Sequence, residues 1–318
     1  MAKLRHRHLL SLADFTTEDY KLVFNTAKTI HKKRRDGWPH KPLEDRILAL
    51  VFEKRSTRTR ASFYAAMTHL GGTVVEYPES VLHVGEGHES AKDTARALGL
   101  YVSCMVMRTY QQSKVELYSD YAGVPVINGL TDEYHPCQIL ADLLSLEEVF
   151  GDIQKITLAY LGRPNNITNT LIQSCSVLGF SLKVGYPEDL QERYISRGFQ
   201  ASVETYSKNT NNNLNILHDP IEAARGADAV YTDTWFNTGE IFEDNERKDL
   251  IDMLKPFQVN NKLMDECSPN AVFMHCLPAE RGYEVTSDVL DDENRSIVWR
   301  QAGNRLQVQR AILELLLT

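Results

Sequence analysis

The chain holds 318 residues, 42% of them hydrophobic and 25% charged, a mix that excludes a disordered protein and fits a globular one of about two domains. Lysine and arginine total 35 against 43 aspartates and glutamates, and the formal net charge of −8 excludes a general nucleic-acid binder or a polybasic membrane-surface protein. No run approaches the roughly 20 apolar residues of a membrane span, and Cys104, Cys137, Cys175, Cys267 and Cys276 lie scattered without a CxxC pair, as expected of a reduced, cytoplasmic protein with no disulfide and no metal centre.

The opening MAKLRHRHLL lacks an apolar core with a cleavage site and is read as part of the mature chain. Thr16 is placed to cap a helix that carries Tyr20, Val23, Phe24, Ala27 and Ile30 on one face. Lys32–Arg35 fall in its last turn, where cations suit the helix dipole, and Gly37 stops it. Ile47–Phe52 is a continuous apolar run, as in a strand covered on both faces. A helix is expected over 61–70, strands over 73–77, 102–107 and 124–128, and helices over 90–100, 113–121 and 136–149. A second series gives strands at 156–161, 181–185, 214–217, 228–232 and 271–275, with helices at 166–178, 188–196, 220–225, 247–254 and 304–317. Strands alternating with helices predict an α/β protein of two doubly wound parallel-sheet domains.

Polar groups collect where strands end, which is where open α/β sheets bind their ligands. Ser56, Thr57, Arg58 and Thr59 follow the first strand at a helix start, offering hydroxyls, a guanidinium and unpaired N–H groups to an anion such as phosphate. No glycine-rich nucleotide loop accompanies them. Arg108 ends another strand, either simply exposed or a second cation for the same anion. His135 and Gln138 open the 136–149 helix with Pro136 between them, and serve either as a cap or as donors to a carbonyl oxygen. Asp233 and Cys276 each follow a strand of the second series, and Asn165 and Asn166 follow a third. These are either turn residues and an inert thiol, or one polar pocket.

Four motifs in order then resemble the aspartate/ornithine carbamoyltransferase family, on its amino-acid-directed branch: Ser56-Thr-Arg-Thr-Arg60, His135-Pro-Cys-Gln-Ile-Leu-Ala-Asp142, His275-Cys-Leu-Pro278 and Gln301-Ala-Gly-Asn-Arg305. The similarity runs from about residue 46 to the C-terminus. It implies a carbamoyl phosphate-binding domain over 1–135 and an ornithine-binding domain over 136–318, whose last helix returns to the first, with the active site in the cleft between them. The implied reaction moves a carbamoyl group from carbamoyl phosphate to the side-chain amine of L-ornithine, giving L-citrulline and phosphate. Ser56, Thr57, Arg58, Thr59 and Arg108 would hold the phosphate; Thr59, Arg108 and His135 the carbonyl oxygen; Gln138, the Leu277 backbone and Arg305 the carbamoyl amine. His83 matches a position that reaches a neighbouring subunit's site. Asn166 and Asp233 would hold the amino acid, and Cys276 beside Asp233 would help its amine arrive neutral. No cofactor is implied, and a homotrimer or a multiple of trimers is.

The chain departs from the family pattern after Asp233. Asn237 and Thr238 stand where Ser-Met is usual in the loop that closes over ornithine, so another amine, such as putrescine or a modified ornithine, is the alternative acceptor. The 240–257 segment is longer than usual and the 81–90 loop carries one extra residue. A binding-only relative would not need Arg58, Arg108, His135, Gln138, Cys276 and Arg305 together. A nicotinamide enzyme would need glycines that Gly162-Arg-Pro-Asn165 lacks.

Overall fold

The computed structural model describes residues 4–78, 89–207, 213–236 and 240–318. Two compact units divide the chain: Met1–Ala141 with Gly303–Thr318, and Asp142–Ala302. The division falls six residues inside the helix that begins at Pro136, and the C-terminal residues join the first unit.

The first unit begins with α1 (Thr17–Arg35), whose N-terminus is closed by reciprocal bonds between Thr16 and Asp19. Its basic last turn ends at Gly37, which takes the left-handed φ of +74°. Four strands, β1 (Ile47–Phe52), β2 (Thr73–Pro78), β3 (Cys104–Arg108) and β4 (Val126–Leu130), form a parallel sheet of order β2-β1-β3-β4. Helices α2 (Thr57–His69), α3 (Ala91–Gly99) and α4 (Gln112–Tyr121) connect them. The apolar runs of β1 and β3 are buried almost throughout, as a sheet covered on both faces requires. Successive connections from β1 leave on opposite sides of it, so the switch point lies between β1 and β3. Phe52 pairs with Arg108 there, and the segments after both strands emerge side by side.

The second unit holds β5 (Thr157–Leu161), β6 (Ser181–Gly185), β7 (Leu214–Leu217), β8 (Ala229–Thr232) and β9 (Val272–His275), parallel and ordered β7-β6-β5-β8-β9. Its switch point lies between β5 and β8. The helix α5 (Pro136–Phe150) spans the division of the chain; then come α6 (Asn166–Leu178), α7 (Phe199–Ser207), α8 (Pro220–Ala224), α9 (Asp244–Leu254), α10 (Asn261–Met264), α11 (Ser287–Leu290) and α12 (Val298–Leu317), the last also spanning it. Leu161, Val230, Phe257, Phe273, Val285 and Val298 are among the residues that close one face of this sheet.

Three helix expectations need correction. The helix after β1 starts at Thr57, not 61, because Ser56 caps it and its first turn is polar, which hides it from an apolar-periodicity reading. Residues 188–196 form no α-helix. Bonds from Leu190, Tyr194 and Ile195 reach back only three residues, giving a 3-10 turn at Glu192–Tyr194, and the helix comes later as α7. The last helix starts at Val298, not 304.

Candidate active site

In the first unit the donors gather around Thr59. Ser56 Oγ accepts the Thr59 N–H at 3.2 Å, closing the N-terminus of α2 and leaving its first N–H groups beside the end of β3. Thr59 is fully buried, and its Oγ1 accepts from Arg108 Nη1 at 3.4 Å and from Arg305 Nη2 at 2.8 Å. A hydroxyl has two lone pairs and one proton. With both lone pairs taken by guanidiniums, the Thr59 proton is left to donate to whatever enters. The other arm of Arg305, Nη1, donates to Gln138 Oε1 at 3.0 Å, so one guanidinium on α12 ties the first turn of α5 to the first turn of α2. Arg58 Nε is buried and has no hydrogen-bond partner among the described residues. Arg60, the last residue of the motif, instead pairs with Glu76 at 2.6 Å and lies over the Phe52 ring.

His135 is buried beside this cluster. Burial, then the charges of Arg305, Arg108 and Arg58, push its pKa well below the usual 6.5. At neutral pH the ring is uncharged and carries one N–H. Ser56, Arg58, Thr59, Arg108, His135, Gln138 and Arg305 are thus brought into one cationic, hydroxyl-bearing cluster, while Thr57 lies exposed on the first turn of α2. Cys137, next to His135, is inert, its thiol pushed up to about 12 by burial.

In the second unit, register does the assembly. Thr232 of β8 pairs with His275 of β9, so the next residues, Asp233 and Cys276, emerge together, and the Cys276 thiol donates to Asp233 Oδ1 at 2.9 Å. Asn165, the N-cap of α6, donates from Nδ2 to Asp233 Oδ2 at 2.7 Å while its own Oδ1 accepts the Ile167 N–H. The Thr234 N–H adds a third donor to Asp233. The close approach of the two loops needs Gly162, at φ +119°, where a side chain would meet Trp235 Nε1 and Thr232 Oγ1 at 3.3 and 3.5 Å. It is Asn165 that bonds Asp233; Asn166 opens α6, half-buried, with its carbonyl accepting from Thr170 Oγ1. The phenols of Tyr160 and Tyr231 stay protonated, raised by burial and then by Asp233 and Asp142 respectively.

Asp233, His275 and Cys276 place ligand-type atoms within 4.8 Å of one another. Both His275 ring nitrogens are engaged, Nδ1 by the Leu277 N–H and Nε2 by Glu284, so hydrogen bonding accounts for this triplet.

Sequence reasoning missed Arg163, Glu284 and Gln301. Arg163 is buried at the β5–α6 turn and forks onto Glu240 at 2.6 and 2.8 Å, while also donating to the carbonyls of Trp235 and Tyr194. Gln301 bonds the His275 N–H and Asp142. A charged residue inside a strand-end turn was the available signal for Arg163, and Gln301 heads the fourth motif although no role was drawn from it; Glu284 carried none. His83, Asn237 and Thr238 lie outside the described residues.

Comparison with known proteins bears on both units. The family model described as aspartate/ornithine carbamoyltransferase, carbamoyl-P binding domain, matches residues 7–148, and that described as the Asp/Orn binding domain matches 154–316. The ornithine carbamoyltransferase of Pyrococcus abyssi is 41% identical over 319 aligned positions, covering 100% of this chain and 98% of the relative. That of Synechococcus elongatus is 40% identical, covering 99% and 98%. The solved structure of the Pyrococcus furiosus ornithine carbamoyltransferase superposes with a TM-score of 0.91 at 40% identity, covering 100% and 99% of the two chains.

Proposed function

The chain belongs to the aspartate/ornithine carbamoyltransferase family, and on that premise we infer how its residues divide the reaction. The enzyme transfers the carbamoyl group of carbamoyl phosphate to the side-chain amine of L-ornithine, giving L-citrulline and phosphate. The relatives reported above all carry the ornithine name, and the comparisons give no support to another acceptor.

Carbamoyl phosphate is the ligand of the first-unit pocket. Its dianionic end suits the N-terminus of α2 with Ser56, Thr57, Arg58, Thr59 and Arg108. The carbonyl oxygen is met by the Thr59 hydroxyl, the uncharged His135 N–H and Arg108, all of which strengthen as that oxygen gains charge. Gln138 and Arg305 hold the carbamoyl amine, to which the family resemblance adds the Leu277 backbone.

Ornithine belongs to the second-unit cluster, with Asp233 and Asn166 on its polar groups. Only an uncharged amine is a nucleophile. Cys276, donating to Asp233, shares that carboxylate with the arriving ammonium and helps it shed its proton. The amine nitrogen then bonds the carbonyl carbon, the carbon–oxygen bond to phosphate breaks with its electron pair going to phosphate, and the nitrogen's second proton passes to the departing phosphate oxygen. His83 would complete a neighbouring subunit's site in a homotrimer. Exposed Tyr64, Leu100 and Tyr101 on the first unit offer apolar surface for such an assembly.

The observation that carries this reading is Thr59, whose lone pairs are both occupied by arginines from β3 and α12, making it an obligate donor inside a cationic pocket. The test is citrulline formation from carbamoyl phosphate and ornithine, with putrescine as the competing acceptor. Absence of citrulline above background, or faster turnover of putrescine, refutes it. Light scattering of the purified chain tests the trimer.

A further inference from the structure

The turn between β5 and α6 reaches the segment after β8 in two places. Asn165 holds the Asp233 carboxylate at 2.7 Å. Two residues earlier, Arg163 Nη1 donates to the Trp235 carbonyl at 3.2 Å. The turn itself is anchored by Tyr160, whose phenol donates to the Arg163 carbonyl at 2.8 Å. Arg163 is only 5% exposed, and its guanidinium also donates to the Tyr194 carbonyl and lies 5.7 Å from that ring. A buried guanidinium needs a counter-charge, which Glu240 supplies through both oxygens, at 2.6 and 2.8 Å. The bonds to the two carbonyls carry no counter-charge. They fix main chain that no strand or helix fixes, since residues 233–236 lie past the end of β8. Trp235 is buried and its indole N–H has no acceptor, so the bond from Arg163 is the one hydrogen bond Trp235 makes among the described residues.

We infer that Arg163 is a positioning residue for the amine acceptor: it holds the Trp235 carbonyl while Asn165 holds Asp233, and so sets the turn that presents the Asp233 carboxylate. The inference rests on the reading that Asp233 serves ornithine. One tether leaves the segment free to pivot about Asp233, whereas two tethers two residues apart fix its direction. The part of Glu240 is to neutralise Arg163, and the two roles separate in variants. Arg163→Met keeps an apolar stem but removes the tether and the charge. Glu240→Gln keeps an oxygen that accepts from the guanidinium, so the tether stays while the counter-charge is lost. Arg163→Met/Glu240→Gln has neither a tether nor an unpaired charge.

The experiment uses the full chain. Arg163→Met is expected to lower kcat/KM for ornithine about 10–100-fold, the scale of a small misplacement at a reacting centre. Affinity for inorganic phosphate, read by calorimetry, should stay within about twofold, because the residues placed on phosphate share no partner with Arg163. Glu240→Gln should lower the urea midpoint yet keep kcat/KM for ornithine within about threefold. In the double variant the midpoint should rise above that of Arg163→Met while the loss in kcat/KM persists, whereas a merely structural arginine would have activity return with stability. The inference is overturned if Arg163→Met stays within about twofold in kcat/KM for ornithine, if the double variant regains activity, or if Glu240→Gln is as impaired as Arg163→Met. Should Arg163→Met fail to fold, the double variant against Glu240→Gln decides by the same comparison. A readout free of turnover follows Trp235 itself. The chain has three tryptophans, and a Trp38→Phe/Trp299→Phe background removes the two exposed ones, so that emission reports Trp235 alone. Acrylamide quenching of that emission should rise several-fold with Arg163→Met and stay unchanged with Glu240→Gln; equal quenching in the two refutes the tether. An unmodified enzyme that makes no citrulline sinks the functional reading instead, and the quenching arm still decides whether Arg163 holds the turn.

Discussion

Thr59→Val removes one hydroxyl and keeps the side chain's shape. In the structure that hydroxyl accepts from Arg305 at 2.8 Å and Arg108 at 3.4 Å, which leaves its proton to donate to an incoming carbonyl oxygen in the proposed reading. Loss of one preorganised donor to a developing oxyanion costs about 2.7–4 kcal/mol of transition-state stabilisation, and each 1.36 kcal/mol is tenfold, so kcat should fall about 10²–10³-fold. The 2.8 Å bond to a charged donor adds roughly 1.5–3 kcal/mol of folding stability that valine forfeits, and the longer 3.4 Å bond adds less. Thr59→Ser keeps the hydroxyl and should recover most of the rate. The assay is initial-rate citrulline formation at saturating ornithine and varied carbamoyl phosphate, paired with urea unfolding. A valine variant within about twofold of the unmodified enzyme in kcat would refute the argument that Thr59 is a forced donor.

The remaining expectations are simpler to state. Arg58→Ala should abolish nearly all turnover, since it removes charge from the leaving phosphate; near-normal kinetics would remove Arg58 from the site. Arg305→Lys keeps the charge but cannot reach Thr59 and Gln138 together, so kcat/KM should drop at least tenfold or so, read from carbamoyl phosphate titrations. His135 has its pKa depressed in the folded state, so between that value and about 6.5 the unfolded chain binds the extra proton. Its contribution is full above 6.5 and is lost as pH falls below it. Urea unfolding at pH 7 and pH 5 should therefore show a smaller stability loss in His135→Asn than in the unmodified enzyme, and equal losses would contradict the burial argument. Glu240→Ala strips the bidentate partner from buried Arg163 and should destabilise the second unit by about 1–3 kcal/mol, visible as a lower urea midpoint.

The strands were legible because parallel sheets covered on both faces write short apolar runs into the chain. All nine expected strands formed within two residues of the expected bounds. The gathering of Ser56, Arg58 and Thr59 at the start of α2 was legible from hydroxyls and a guanidinium at a strand–helix junction. What those residues do to one another was not. Thr59 becomes an obligate donor only because Arg305, 246 residues away, reaches its oxygen, and no local pattern records that contact. The same holds for Glu284, which sits in a loop with no periodicity, and for the division of α5. Its first turn carries Gln138, bonded to Arg305 of the first unit, while Asp142 one turn later accepts from Tyr231 and Gln301 of the second. The polar first turn of α2 was missed for a related reason: a helix start that faces a ligand has no apolar stripe to betray it.

The split membership of α12 has a consequence for how the enzyme comes into being. The first unit is encoded almost wholly by the opening 141 residues, yet Arg305 belongs to the last 16, Gly303–Thr318. A ribosome reaches that arginine only after it has translated everything between. A nascent chain paused midway, or a gene ending in a late stop codon, would carry a nearly finished first half with Thr59 and Gln138 unmoored. The cluster around Thr59 is thus begun early in translation and completed only late.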